Sequence, residues 1–268
     1  MSRLATRFAE RRDSGSSTLV TYLVAGDPAP SVTVAAMKAL ASAGVDVIEL
    51  GIPFSDPEAE GPDIQAGCER ALAHRVRLRD VLDMVATFRQ SDTRTAVVLM
   101  GYLNSVEAMG SERFAEAASE AGVDGVILVN LPPEEAGPLR SALQQRGIDL
   151  VFLLAPTTTD ARAKRVLEQA SGFVYYVSLK GTTGAGNLDV DSVRERVASL
   201  RSMTPLPIAV GFGIRDGASA RRVAQFADGV VVGSVLVRGM GELAATPEAI
   251  PAAVEALARE LREAMDAA

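Results

Sequence analysis

The chain has 268 residues, of which 48% are apolar and 23% charged. That balance builds a packed core and excludes a disordered or collagen-like chain. Its 27 basic and 34 acidic residues leave a net charge of −7, which argues against a general nucleic-acid or anionic-membrane binder while leaving room for a local basic pocket.

Segment 1–13 lacks the apolar core of a secretory leader. Apolar runs such as 229–237 are about half as long as a membrane span requires. Cys68 is the only cysteine and His74 the only histidine, so no intramolecular disulfide, cysteine zinc site or two-histidine device can form. These features point to a reducing, cytoplasmic setting. The first strand is expected over 18–24, a β-branched run closed by the turn at 25–28. Ser31 is placed to cap a helix over 32–43, ended by Gly44. A strand over 45–50 is broken at 51–53 and leads into a polar loop over 54–62. Helices over 63–74 and 78–90 precede a strand over 96–100. Then come helix 106–121, strand 125–129, helix 134–145, strand 150–154, helix 160–169 and strand 173–177. A Gly/Thr-rich loop over 178–187 follows. Helix 190–201, strand 208–210, helix 216–225, strand 229–232 and a terminal helix over 247–265 complete the chain.

About eight strands therefore alternate with helices, and many are continuously apolar, as strands buried on both faces should be. The pattern predicts an α/β fold with a parallel sheet, and eight units in this length favour a (β/α)8 TIM barrel over an open sheet. One domain over 1–268 is expected. No Gly-x-Gly-x-x-Gly follows the first strand, which lowers a dinucleotide-binding reading. An internal echo supports a repeated unit: 43–50 (AGVDVIEL) resembles 121–128 (AGVDGVIL), with 227–232 (ADGVVV) as a looser third copy.

The echo singles out Glu49, which stands where the second copy has Ile127. A carboxylate inside a buried strand is costly unless paired or used. Near the C-terminal end of a barrel strand it is placed for acid–base work, with burial raising its pKa; the alternative is a buried ion pair. The next loop offers Ser55, Asp56, Glu58 and Glu60, stiffened by prolines, though each alone reads equally well as solvated. Glycine clusters at 181–186, 211–213 and 233 follow the sixth, seventh and eighth strands, where barrels hold phosphate on backbone N–H groups. Tight turns are the alternative there. His74 and Cys68 read as a helix-end residue and a small core group. Tyr22, Tyr102 and Tyr175, near strand ends, suit either an aromatic-substrate pocket or the core.

Together these residues resemble the tryptophan synthase alpha chain family over essentially the whole chain. The most specific part is the run ELGIPFSDP at 49–57, followed by Gly61-Pro62 and Ile64-Gln65. Segment 21–28, Val177-Ser178, Thr183-Gly184, the run 211–214 and Gly233-Ser234 also fit in order and spacing. The resemblance implies a barrel with an additional N-terminal helix, and cleavage of indole-3-glycerol phosphate to indole and glyceraldehyde 3-phosphate. It implies Glu49 as general acid/base and Glu60 as the second catalytic acid. Gly184, Gly213, Gly233 and Ser234 would hold the phosphate, Tyr22, Met100 and Tyr102 would surround the indole, and Tyr175, Thr183 and Phe212 would also bind the substrate. Pro53 and Asp56 would face a beta chain in an alpha2-beta2 assembly. Pyridoxal phosphate is expected only in that partner; no metal, nucleic acid or membrane is implied.

Departures from the family pattern cluster at the site end. Glu60 stands where the family usually has Asp, Glu58 where it is commonly apolar, and Asn130 where Asp is frequent; Leu179, Lys180 and Thr182 alter the sixth loop. These changes keep three other readings in view: a free-standing indole-forming lyase of a specialised pathway, a catalytically weakened regulatory subunit, and a different phosphate-handling barrel enzyme.

Overall fold

The computed structural model describes residues 2–178, 190–211 and 213–267. Eight parallel strands close in chain order into a barrel: β1 (Thr18–Val24), β2 (Val47–Gly51), β3 (Ala96–Gly101), β4 (Gly125–Leu128), β5 (Asp149–Leu154), β6 (Val174–Val177), β7 (Ile208–Gly211) and β8 (Gly229–Val232). The helices are α1 (Arg3–Asp13), α2 (Pro30–Ser42), α3 (Pro62–Ala73), α4 (Leu78–Arg89), α5 (Leu103–Met109), α6 (Ser111–Ala121), α7 (Gly137–Gln144), α8 (Asp160–Leu167), α9 (Val190–Arg201), α10 (Gly217–Ala224), α11 (Ser234–Glu242) and α12 (Ile250–Asp266). The (β/α)8 barrel expected from the sequence is borne out, with α1 as the extra N-terminal helix.

Strand alternation divides the core in two. Val20, Val47, Ala96, Val98, Ile127, Val151, Ala209 and Val231 fill the interior. Leu19, Leu23, Ile48, Leu50, Val97 and Leu99 pack outward beneath the helices. Both faces are apolar, which is why the strands read as unbroken apolar runs. α1 plugs the N-terminal end with Leu4 and Phe8, and the Phe8 ring lies 5.4 Å from that of Phe173.

The internal echo has a structural meaning at that end. Asp46, just before β2, accepts the Leu19 N–H of β1 on Oδ2 at 3.0 Å. Asp124, before β4, does the same for Val97 of β3 at 2.8 Å, and Asp228, before β8, for Ile208 of β7 at 2.8 Å. Ser171 fills the place before β6, its hydroxyl accepting the Leu150 N–H of β5 at 2.9 Å. Each side chain satisfies a strand-end donor that would otherwise be buried unpaired. Arginines neutralise the acids: Arg11 and Arg262 on Asp46, Arg3 and Arg89 on Asp124, and Arg201 on Asp228.

Some boundaries differ from expectation. The helix expected over 106–121 is two helices, because Gly110 has φ +88° and breaks the chain between α5 and α6. Ser31 does not cap α2: Pro30 occupies the first turn and the cap is Ala29, without a side-chain bond. α7 starts at Gly137 rather than 134, with 132–136 in turns. α11 was not expected at all. No helix among the described residues is long and apolar enough to cross a membrane.

Candidate active site

The C-terminal ends of the strands carry the polar groups. Glu49 is the middle residue of β2, paired in register with Tyr22 on β1 and Val98 on β3. It is fully buried, and neither carboxylate oxygen has a hydrogen-bond partner among the described residues. Burial first, and the nearby Glu60 carboxylate second, push its pKa from 4.5 up to about 8. It is therefore a neutral acid at pH 7, able to release a proton and take one back.

Glu60 ends the loop between β2 and α3 and is only 8% exposed. Burial raises its pKa to about 7. Its main chain is fixed from both sides. The Glu60 N–H donates to Pro57 O at 3.0 Å, and Gln65 Nε2 donates to the Glu60 carbonyl at 2.9 Å. The loop itself is latched to Tyr102, the residue that follows β3. The Ala59 N–H donates to the Tyr102 hydroxyl at 3.0 Å, and the Phe54 ring stacks on Tyr102 with centroids 4.8 Å apart. Pro62 in the first turn of α3 then starts a helix without needing its missing N–H.

Two tyrosines flank the carboxylates. The Tyr22 ring lies over Gly51, where a Cβ would stand 2.2 Å from its hydroxyl, and the Tyr175 ring lies over Gly211, where a Cβ would stand 2.5 Å from its hydroxyl. Burial, together with the negative charge of Glu60 and Glu49, holds both phenols well above their ordinary pKa, so they remain neutral donors. Met100 and Tyr102 continue the wall from β3, almost fully buried. Val129, Leu153 and Tyr175 are partly exposed against the interior cluster.

The glycine-rich end is formed at α11. Gly233 precedes the helix and Ser234 begins it. The Leu236 N–H closes the first turn on the Gly233 carbonyl at 2.9 Å, and a helix start of this kind is where backbone N–H groups commonly receive an anion. Gly213 is exposed with φ +59°. Thr183, Gly184 and Phe212, with Leu179, Lys180 and Thr182, lie outside the described residues.

Other expected residues fall as follows. Asp56 and Glu58 are exposed and Pro53 is buried. Asn130 accepts the Leu103 N–H at 2.8 Å, serving as a cap for α5 that an Asp would supply equally. His74 is exposed at the end of α3, one ring nitrogen 2.9 Å from the Pro28 carbonyl. Cys68 is buried on α3, and burial keeps its thiol neutral, with a pKa of about 11. One pair escaped sequence reasoning. Asp27, wholly buried in the turn after β1, is gripped by Arg70 of α3 at 2.6 Å. The turn signal at 26–28 marked Asp27 as a loop residue, and nothing local announces a partner 43 positions away. Among the described residues no group of three or more metal-ligating side chains comes together.

The comparisons with known proteins agree with this architecture. The family model described as tryptophan synthase alpha chain matches residues 8–266. The tryptophan synthase alpha chain of Thioalkalivibrio sulfidiphilus is 57% identical over 266 residues, covering 99% of this chain and 100% of the relative. That of Nitrosococcus oceani is 53% identical over 267 residues, covering 100% and 98%. Among solved structures, tryptophan synthase subunit alpha from Legionella pneumophila superposes with a TM-score of 0.92 at 42% identity, covering 100% of both chains.

Proposed function

The chain belongs to the tryptophan synthase alpha chain family, lyases that cleave indole-3-glycerol phosphate to indole and glyceraldehyde 3-phosphate, and on that premise we propose how its residues divide the work. The observation that carries the reading is Glu49: a fully buried carboxyl with no hydrogen-bond partner among the described residues, raised to about 8. Neither the free-standing lyase nor the weakened regulatory subunit is favoured by the relatives.

Cleavage breaks the bond between indole C3 and the side-chain carbon that bears a hydroxyl. C3 must first gain a proton, leaving positive charge delocalised onto the ring nitrogen. The C3–carbon bond electrons then return to the ring as the hydroxyl loses its proton and becomes the aldehyde. The net proton count is unchanged. Protonated Glu49 donates to C3 and, once ionised, accepts the hydroxyl proton; a raised pKa suits both halves of that cycle. Ionised Glu60 accepts a hydrogen bond from the ring N–H and stabilises the developing positive charge. Mutual repulsion keeps one carboxyl neutral while the other is charged.

Tyr22, Met100, Tyr102 and Tyr175 enclose the indole. Gly213, Gly233 and Ser234 receive the phosphate, a role that the family resemblance gives to Gly184 as well, and it counts Thr183 and Phe212 among the substrate-binding residues. Asp56, on the exposed rim, faces a beta chain in an alpha2-beta2 assembly, and the buried Pro53 acts there only by shaping the loop that presents Asp56. Pyridoxal phosphate belongs to that partner, and this chain's residues carry out their half of the chemistry by proton transfer alone.

The test is indole release from indole-3-glycerol phosphate by the purified chain, with and without a beta chain, for the parent and Glu49→Gln. Turnover stimulated by the partner and abolished in Glu49→Gln supports the reading. Parental turnover in the variant overturns the assignment of Glu49.

A further inference from the structure

Helix α3 is held at both ends. At its start, Gln65 Nε2 grips the Glu60 carbonyl at 2.9 Å. At its far end, Arg70 Nε and Nη2 donate to the two oxygens of Asp27 at 2.6 and 3.0 Å. The same Nη2 reaches the Val237 carbonyl of α11 at 3.5 Å. Between these points α3 and α11 approach so closely that a Cβ on Gly67 would meet Val237 Cγ1 at 2.8 Å and Asp27 Oδ2 at 3.0 Å. A Cβ on Gly241 of α11 would meet Arg70 Nη2 at 2.8 Å. A second pair, Arg238 on α11 with Asp63 on α3 at 3.0 Å, joins the helices at more exposed positions.

The two helices lead to different ends of the site. The N-terminus of α3 carries Glu60 on its entering loop, and the N-terminus of α11 begins at Ser234. From α3, Arg70 hydrogen-bonds both the β1 turn and α11. We propose that Arg70 is a positioning residue that sets the spacing between the ring-recognising end at Glu60 and the phosphate-recognising end at Ser234. This rests on the reading of those two ends given above. A planar guanidinium held by two parallel bonds fixes orientation as well as distance. Its partner Asp27 is wholly buried, so the fork has no solvated alternative.

A ligand that engages both ends benefits from a preset spacing, because its second contact is made at a high effective concentration. Loosening the spacing lowers that benefit and leaves each end's own affinity intact. A role confined to general stability would not separate the two.

The experiment uses the full chain and three probes: 3-(indol-3-yl)propyl phosphate, which spans the site and cannot be cleaved, indole alone, and inorganic phosphate alone. Affinities are measured by calorimetry or NMR titration for the parent, Arg70→Met, Arg70→Lys and Gly241→Ala. Arg70→Met is expected to bind the spanning probe about tenfold or more weakly, with indole and phosphate within about twofold of the parent. Gly241→Ala, which displaces the guanidinium without removing it, should show the same pattern more mildly, and it carries the comparison if Arg70→Met does not fold. Arg70→Lys should fall between. Unchanged affinity for the spanning probe, or an equal loss for a fragment alone, overturns the inference. A parent that binds the spanning probe no better than its tighter fragment overturns the reading of the two ends, and the inference with it.

Discussion

Tyr22 and Glu49 are register partners on adjacent strands, yet the phenol of Tyr22 does not rest on Glu49: it leans two residues further along β2 and lies against Gly51. Among the described residues the carboxyl is left without a hydrogen-bond partner. Gly51→Ala would put a methyl 2.2 Å from the Tyr22 hydroxyl, so the ring must leave the site wall. We expect kcat/KM to fall about 10–100-fold, since small misplacements near reacting groups cost on that order, with partial recovery in Gly51→Ala/Tyr22→Leu. No recovery in the double variant would show that Gly51 acts through something other than the ring.

Glu49→Gln should abolish turnover and also stabilise the fold, by an amount that depends on pH. A carboxyl with pKa 4.5 when unfolded and about 8 when folded binds its proton more tightly in the native state. Its contribution is full below pH 4.5 and is lost as pH rises towards 8. Glutamine has no such loss. The variant's advantage in denaturant unfolding should be near zero at pH 3, about 1 kcal/mol at pH 5 and about 4 kcal/mol at pH 8, from about 1.4 kcal/mol for each pK unit. An advantage that does not change with pH would mean that Glu49 titrates normally.

The pH dependence of kcat/KM should be a narrow bell. Activity needs Glu60 ionised and Glu49 protonated, so it falls on the acid side as Glu60, at about 7, gains a proton, and on the alkaline side as Glu49, at about 8, loses one. Glu60→Gln should lower the rate and flatten the acid limb. An acid limb that survives this substitution would assign it to another group.

Glu60→Asp should keep or raise activity. The loop is fixed through main-chain groups of Ala59 and Glu60 rather than through the Glu60 side chain, so shortening that side chain leaves the loop in place. Tyr102→Phe tests the latch itself. It keeps the stack on Phe54 but leaves the Ala59 N–H without its partner, and should cost about 1 kcal/mol of stability, the order of one hydrogen bond. Faster proteolysis within 54–60 and a lower kcat/KM should accompany it.

Much of the fold was legible because the strands are apolar on both faces and the helices end at glycines. The strands over 18–24 and 229–232 and the helix over 190–201 match end for end. α11 was not legible: Val235, Leu236 and Val237 read as a continuation of the apolar run of β8, and Gly239 and Gly241 weaken a helical reading. The structure makes it a helix because it packs on α3, where Gly241 leaves room for Arg70. At the site, Glu49 stood out as a charge in an otherwise apolar slot. Glu60 did not stand out among its acidic neighbours. The loop that carries it is latched through the Ala59 N–H to Tyr102, 43 positions away, and such long-range restraint leaves no local trace.

The polar staples at the base of the barrel divide the chain into paired strands: β1 with β2, β3 with β4, β5 with β6 and β7 with β8. They therefore mark where the polypeptide can be cut. A break in the turn after β4 leaves every staple inside one piece. A break between α5 and α6 separates Asp124 from Val97. Two co-expressed fragments should reassemble into a whole barrel in the first case far more readily than in the second, so the order of assembly from halves is written at the end of the molecule farthest from its chemistry.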